Sequence, residues 1–265
     1  MSPPLARRLV AELLGTMLLV TAVVGSGIMA TRLSPNDVGL QLLQNSIATM
    51  LALAVLILVF GPVSGAHFNP VVTLADWWLH RRSGNHLRVA DVAAYTIAQI
   101  LGGIGGAVLA NLMFSLAPVT LSHTERSAAN LWLGEVVATA GLVLLILALV
   151  RTGRAALAAP AVGAYIGAAY WFTSSTSFAN PAVTIGRAFT DSFAGIAPAS
   201  VPGFVAAQLA GALLALLAVT ALYPRPVDLR HPYPRQEPSM SDPCGPAMPT
   251  LLSPEATPAR EIVNP

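Results

Sequence analysis

The sequence predicts an all-α membrane protein with six membrane-crossing helices and two shorter, re-entrant half-helices, arranged as inverted repeats. Three observations carry that reading. The 265 residues are 55% hydrophobic and only 10% charged, with a mean hydropathy of +0.67, whereas a soluble domain carries about 25% charged residues. The apolar residues fall in blocks long enough to cross a bilayer, which takes about 20 residues. Short motifs also recur in the same order in the two halves.

Six apolar segments are read at residues 9–30, 38–60, 89–110, 131–150, 156–172 and 201–222. Two shorter pieces, 70–79 and 181–189, lie between them. Ten residues of helix reach only about 15 Å, half a bilayer, so these two are half-helices rather than spans. Arg7 and Arg8 precede the first segment as in a signal peptide, but the apolar run exceeds a signal core of about 7–15 residues and no small-residue cleavage pattern closes it. It is read as the first span.

All 14 basic residues are arginines. They stand singly and in pairs between apolar blocks, without a basic stripe or an aromatic platform, so nucleic acid is not an expected partner. With the N-terminus inside, eleven fall on the cytoplasmic side; Arg32, Arg126 and Arg187 fall on the other. That is the bias of the positive-inside rule. It places both termini in the cytoplasm and fits a multi-pass protein of a cell membrane, the bacterial inner membrane being expected. Residues 1–223 are read as the membrane domain. From position 224 to 265 the chain holds eleven of its 21 prolines among polar residues, a composition that cannot bury a core; a disordered cytoplasmic tail is expected. The single cysteine, Cys244, lies there, so neither an intrachain disulfide nor a thiolate metal cluster is available. No cofactor or metal is expected.

The repeat spans about 5–115 and 128–223. Ala11-Glu12-Leu13-Leu14-Gly15-Thr16 returns as Gly134-Glu135-Val136-Val137-Ala138-Thr139. Asn69-Pro70-Val71-Val72-Thr73-Leu74 returns as Asn180-Pro181-Ala182-Val183-Thr184-Ile185, and Ala98-Gln99 as Ala207-Gln208. Three spans per half force the halves to lie inverted, a design that puts a solute site where they meet near the midplane. Proline suits the first helical turn and asparagine the N-cap before it. Each motif therefore starts a half-helix whose positive dipole end points at mid-membrane.

Ser64-Gly65-Ala66-His67-Phe68-Asn69-Pro70-Val71 and Asn180-Pro181-Ala182 resemble the two signature loops of the aquaporin and glycerol-facilitator family, over roughly residues 5–223. The resemblance implies a passive channel for small uncharged solutes in a lipid bilayer, assembled as a homotetramer with one pore per subunit. It assigns the central constriction to Asn69, Pro70, Val71, Asn180, Pro181 and Ala182. Glu12 and Glu135 would brace the loops by accepting backbone N–H bonds, His67 would support the first loop, and Gln99 and Gln208 would hydrogen-bond between helices. Gly102-Xaa-Xaa-Xaa-Gly106 and Gly163-Xaa-Xaa-Xaa-Gly167 indicate close helix contact.

The chain also departs from the family. Its filter arginine directly follows the second Asn-Pro-Ala, where this chain has Val183. Gapless counting gives Thr49, Ala168 and Ser177 for the other filter positions, with Gly167 in place of Ala168 if the second loop is offset. This ringless, uncharged set predicts a wide mouth and is similar to that of bacterial aquaporins associated with arsenic resistance. The implied solutes are water, glycerol-like polyols, arsenite (an uncharged trihydroxide at neutral pH) and methylated arsenicals; a water-selective pore or a general polyol facilitator without an arsenic role is the alternative. Arg187, one helical turn beyond Val183, is read as structural, paired with Asp191. Two other classes are weighed. A secondary transporter would need the glutamates to face the pore, and an intramembrane hydrolase would need a dyad such as Ser64 with His67, or Ser26 as nucleophile. No enzyme activity is expected.

Overall fold

In lipid every backbone polar group must be satisfied within the segment, so long apolar runs have helix as their only open-ended choice. The structure, a computed structural model, describes residues 3–81 and 87–223. Arg82 and the Pro-rich tail from position 224 lie outside the described residues. In chain order the helices are α1 (Leu5–Leu33), α2 (Val38–Ser64), α3 (Pro70–His80), α4 (Val89–Met113), α5 (Ala129–Arg151), α6 (Ala158–Phe172), α7 (Pro181–Arg187) and α8 (Val201–Leu222). Six are long and apolar enough to cross a membrane, with α6 and α8 each led in by a 3-10 turn. The two short ones, α3 and α7, are the half-helices.

The edges differ from the sequence reading for local reasons. Helix α1 begins at Leu5 rather than 9; there Arg8 Nε donates to the Tyr95 hydroxyl of α4 at 2.7 Å, anchoring the first turn. Helix α2 runs on to Ser64, whose hydroxyl donates to Glu12. Helix α7 stops at Arg187, two residues early, as the N–H groups of Ala188 and Phe189 fold back onto the Ile185 and Gly186 carbonyls.

Packing follows the repeat. Helix α1 lies most extensively against α4, and its repeat partner α5 against α8. Both pairs close over glycine: a methyl on Gly102 would strike the Leu13 carbonyl oxygen, and one on Gly211 would lie 2.5 Å from that of Val136. The glycine pair at 102 and 106 does bring helices together, Gly106 lying against Met17 of α1, and Gly163 and Gly167 seat α6 on Met50 of α2. The fold thereby sets two half-helices between two matched sets of three spans.

Candidate solute pore

Each half-helix is entered through a loop that a buried glutamate holds in place. Glu12, fully buried in α1, accepts from Ser64 Oγ (2.6 Å), the backbone N–H groups of His67 (3.0 Å) and Phe68 (2.7 Å), and Gln99 Nε2 (2.8 Å). Glu135 in α5 accepts from the N–H groups of Phe178 and Ala179 (both 2.8 Å) and from Gln208 Nε2 (2.6 Å). The glutamines continue the symmetry, Gln99 reaching Thr73 and Gln208 reaching Thr184. Ala66, Phe68, Ser177 and Ala179 sit at positive φ, at matching places three and one residues before each asparagine. Such conformations cost non-glycine residues about 1–3 kcal/mol each unless the surroundings hold them, and the glutamates do the holding. A trans peptide points its C=O opposite to its N–H, so the carbonyls of Ala66, His67, Ser177 and Phe178 turn away from the glutamates.

The two half-helix tips meet. Asn69 Nδ2 donates to the Ala179 carbonyl and Asn180 Nδ2 to the Phe68 carbonyl, both at 2.8 Å. Each asparagine's Oδ1 is occupied as an N-cap, by Val71 N–H for Asn69 and by the Ala182 and Val183 N–H groups for Asn180. A primary amide has two donor hydrogens. With one given across the junction and the oxygen used as cap, each asparagine offers the space beside it a donor only.

That space is a cavity of about 580 Å³. It passes Asn69 and Asn180 and reaches Thr49, Tyr170, Ser177, Val183 and Arg187 at one end, and Asp76, Pro62 and Ala155 at the other. Val183, Thr49 and Ser177 all line it. Ser177 Oγ is buried without a partner among the described residues, leaving it to whatever fills the cavity. Of the Asn-Pro-Val and Asn-Pro-Ala tripeptides only the asparagines line the cavity; Val71, Pro181 and Ala182 are buried and Pro70 is half-buried, the two prolines starting their half-helices.

The α6 position needs correction. Ala168 lies exposed on the outer face of α6, and Gly167 packs on the Met50 side chain. The cavity-facing stripe of α6 is Ala158, Ala159, Val162, Ile166 and Tyr170, spaced three or four apart as one helix face requires. Residue 168 is two steps from either end of the last interval, on the far side. At the level of Thr49 the cavity therefore carries a ring: Tyr170, buried, places its hydroxyl 3.2 Å from Thr49 Oγ1. Counting without a gap assumed that the turn between α6 and the second loop has the usual length; the three- and four-residue spacing of Val162, Ile166 and Tyr170 beside the Gly163–Gly167 packing face could have found the cavity side.

Arg187 does not pair with Asp191. Asp191 takes the His123 backbone N–H and ring Nδ1, each at 3.1 Å. Arg187 is buried and faces the cavity, with Nε donating to the Ala194 carbonyl and its guanidinium carbon 3.4 Å from the centre of the Phe178 ring. Asn180, Val183 and Arg187 stand at i, i+3 and i+7, a single stripe of α7. Asn69, Val72 and Asp76 form the same stripe of α3, and both line the cavity. The rivals lose their residues here. Glu12 and Glu135 are turned to the loops and do not line the cavity. Ser64 is bound to Glu12 while His67 Nδ1 faces Thr73 at 3.1 Å, and Ser26 donates to the Ala22 carbonyl, so the Ser64–His67 dyad does not form and Ser26 has no histidine beside it among the described residues.

Comparison with known proteins agrees with this arrangement. The family profile described as "Major intrinsic protein" matches residues 1–174. A curated protein, the aquaglyceroporin AqpS of Rhizobium meliloti (strain 1021), is 54% identical over 212 residues, covering 80% of this chain and 88% of that one. The chain belongs to the major intrinsic protein family. As a member of that family it is a multi-pass membrane channel and not an enzyme. An aquaporin Z of Photorhabdus laumondii is 35% identical over 129 residues, 49% of this chain and 52% of that protein. Among solved structures, the aquaglyceroporin of Plasmodium falciparum superposes with a TM-score of 0.61 at 20% identity, covering 83% of this chain and 97% of the other; at that identity the likeness speaks for the major intrinsic protein fold alone.

Proposed function

We propose that this channel conducts water, glycerol-like polyols and arsenite passively along the cavity beside Asn69 and Asn180, with methylated arsenicals as larger candidates. The observation that carries the reading is the donor-only face of the two asparagines in a cavity whose formal charges stand at Asp76 and Arg187, toward its ends. A hydroxyl oxygen can accept from the asparagines while the solute's own hydrogens meet the carbonyls that the glutamates turn outward. Two half-helix N-termini facing the same point repel cations there. The 54% identity to a protein named an aquaglyceroporin supports polyols among the solutes. Val183 supports solutes larger than water, and the Tyr170 hydroxyl beside Thr49 supplies a polar contact at the same level. The arginine distribution supports cytoplasmic termini in a bacterial inner membrane, and the family resemblance supports a homotetramer.

Stopped-flow light scattering on proteoliposomes, with water, glycerol and arsenous acid measured in one preparation, tests the reading. Glycerol and arsenous acid are expected to cross well above the rate of protein-free vesicles. Water flux alone would replace this proposal with a water-selective pore, and no flux above protein-free vesicles would remove it.

A further inference from the structure

We propose that Arg187 supplies the outer end of the pore with the positive charge and hydrogen-bond donors that Val183 cannot. It does so one helical turn further from the asparagines. The inference deepens the channel reading above and rests on it.

Four observations converge. Arg187 shares one face of α7 with Asn180 and Val183, and all three line the same cavity. Its side chain is held at two points, the Ala194 carbonyl and the face of Phe178. Phe178 is in turn fixed edge-on to Phe204 at 5.1 Å and approached by Arg126 at 5.2 Å. Only Nε has a hydrogen-bond partner among the described residues, so the two terminal amino groups are left for a pore solute. Finally, among the described residues no carboxylate forms an ion pair with it: Asp191 belongs to His123, and Glu135 to its loop.

An arginine that is 3% exposed and has no ion-pair partner among the described residues would be costly in a dry interior. Contact with a pore full of polar solute, and with the negative face of an aromatic ring, makes the position tenable. The corresponding residue of the first half shows what a compensated charge looks like. Asp76, also seven residues after its asparagine, accepts from His80 at 3.1 Å. The filter is thereby split into two levels. Thr49, Tyr170, Ser177 and Val183 set width and hydroxyl contacts; Arg187, further out, repels cations and donates to the oxygen of an arriving neutral solute.

The test uses full-length protein in liposomes at neutral pH, with glycerol and urea flux followed by light scattering and K⁺ leak by a potential-sensitive dye. Wild-type vesicles should hold K⁺ as well as protein-free ones. Removing the charge in Arg187→Met should raise K⁺ leak about tenfold or more, because one unit charge in a narrow low-dielectric passage is a barrier of that order or above. Restoring a guanidinium nearby, in Arg187→Met with Val183→Arg, should return the leak to about the wild-type level. Arg187→Lys keeps the charge but loses the planar donors; it should exclude K⁺ and change the glycerol-to-urea flux ratio about threefold. Arg187→Met vesicles that pass glycerol yet hold K⁺ would overturn the proposal. If Arg187→Met does not fold, an unchanged ratio in Arg187→Lys overturns it alone. Wild-type glycerol flux at the protein-free level would instead defeat the channel reading, so the two failures are distinct.

Discussion

The two re-entrant loops share a frame and differ in what they show the pore. Both have a glutamate taking two consecutive N–H groups, a glutamine bridging to a threonine four residues after the asparagine, and residues at positive φ in the same register. Where they differ, the first loop has His67 tied to Thr73, and the second has Phe178 beneath Arg187. The first half-helix runs eleven residues, the second seven, and α7 is pressed far more closely on α4 than α3 is on α8. Glycine makes that possible: a methyl on Gly103 would lie 2.5 Å from the Ala182 carbonyl oxygen, while the matching position in α8 is Ala212. Symmetric parts hold the backbone; asymmetric parts choose the solute.

The strongest way to break that division is to remove the braces singly. Glu12→Ala and Glu135→Ala each strand two buried N–H groups, at about 1–3 kcal/mol apiece, and should reduce folded protein to a similar degree, read by size-exclusion of detergent extracts. A silent result for either one ends the symmetric frame. Next in size, Gly103→Ala should cost about 1–3 kcal/mol by overpacking, while Ala212→Gly should cost about 1 kcal/mol or less; unfolding midpoints in detergent compare them. Smaller still, Tyr170→Ala should raise glycerol flux several-fold in the folded, inserted protein, whereas Ala168→Trp, on the outer face, should leave flux unchanged. The smallest effect is at the outer surface. Hydrogen bonds from the His123 backbone N–H and ring hold Asp191 below the usual carboxylate range. A group held low stabilises the fold above its unfolded pKa of about 4 and loses that contribution as pH falls through the folded value. Deuterium exchange in peptides spanning His123 should therefore rise on acidification, and His123→Ala, which keeps the backbone N–H but removes the ring, should weaken the pH dependence.

Most of the frame was legible in the sequence. Six spans follow from apolar length, and the half-helices from Asn-Pro with too few residues to cross. The glutamates were readable because an acid inside a span needs compensation; the family resemblance implied the loops as the donors, and the paired placement favoured that role. Tyr170 was not, because an α6 position was counted back from Asn180 through a loop of unusual length; a count holds along a helix but not across a turn. Arg187 was misassigned because Asp191 is the nearest acid along the chain, yet α7 ends at Arg187 and the chain turns Asp191 to His123. The i, i+3, i+7 stripe from Asn180 was already present in the sequence and points to the correct face.

The account stands or falls on solute passing beside Val183. Glycerol and water permeability of Val183→Arg against wild type, in matched proteoliposomes, tests this most directly. An arginine there should cut glycerol flux about tenfold or more while water flux falls much less, since bulk and charge at a constriction exclude the larger solute first. Equal glycerol flux in the two proteins, with Val183→Arg folded and inserted, would contradict it and move the pathway elsewhere.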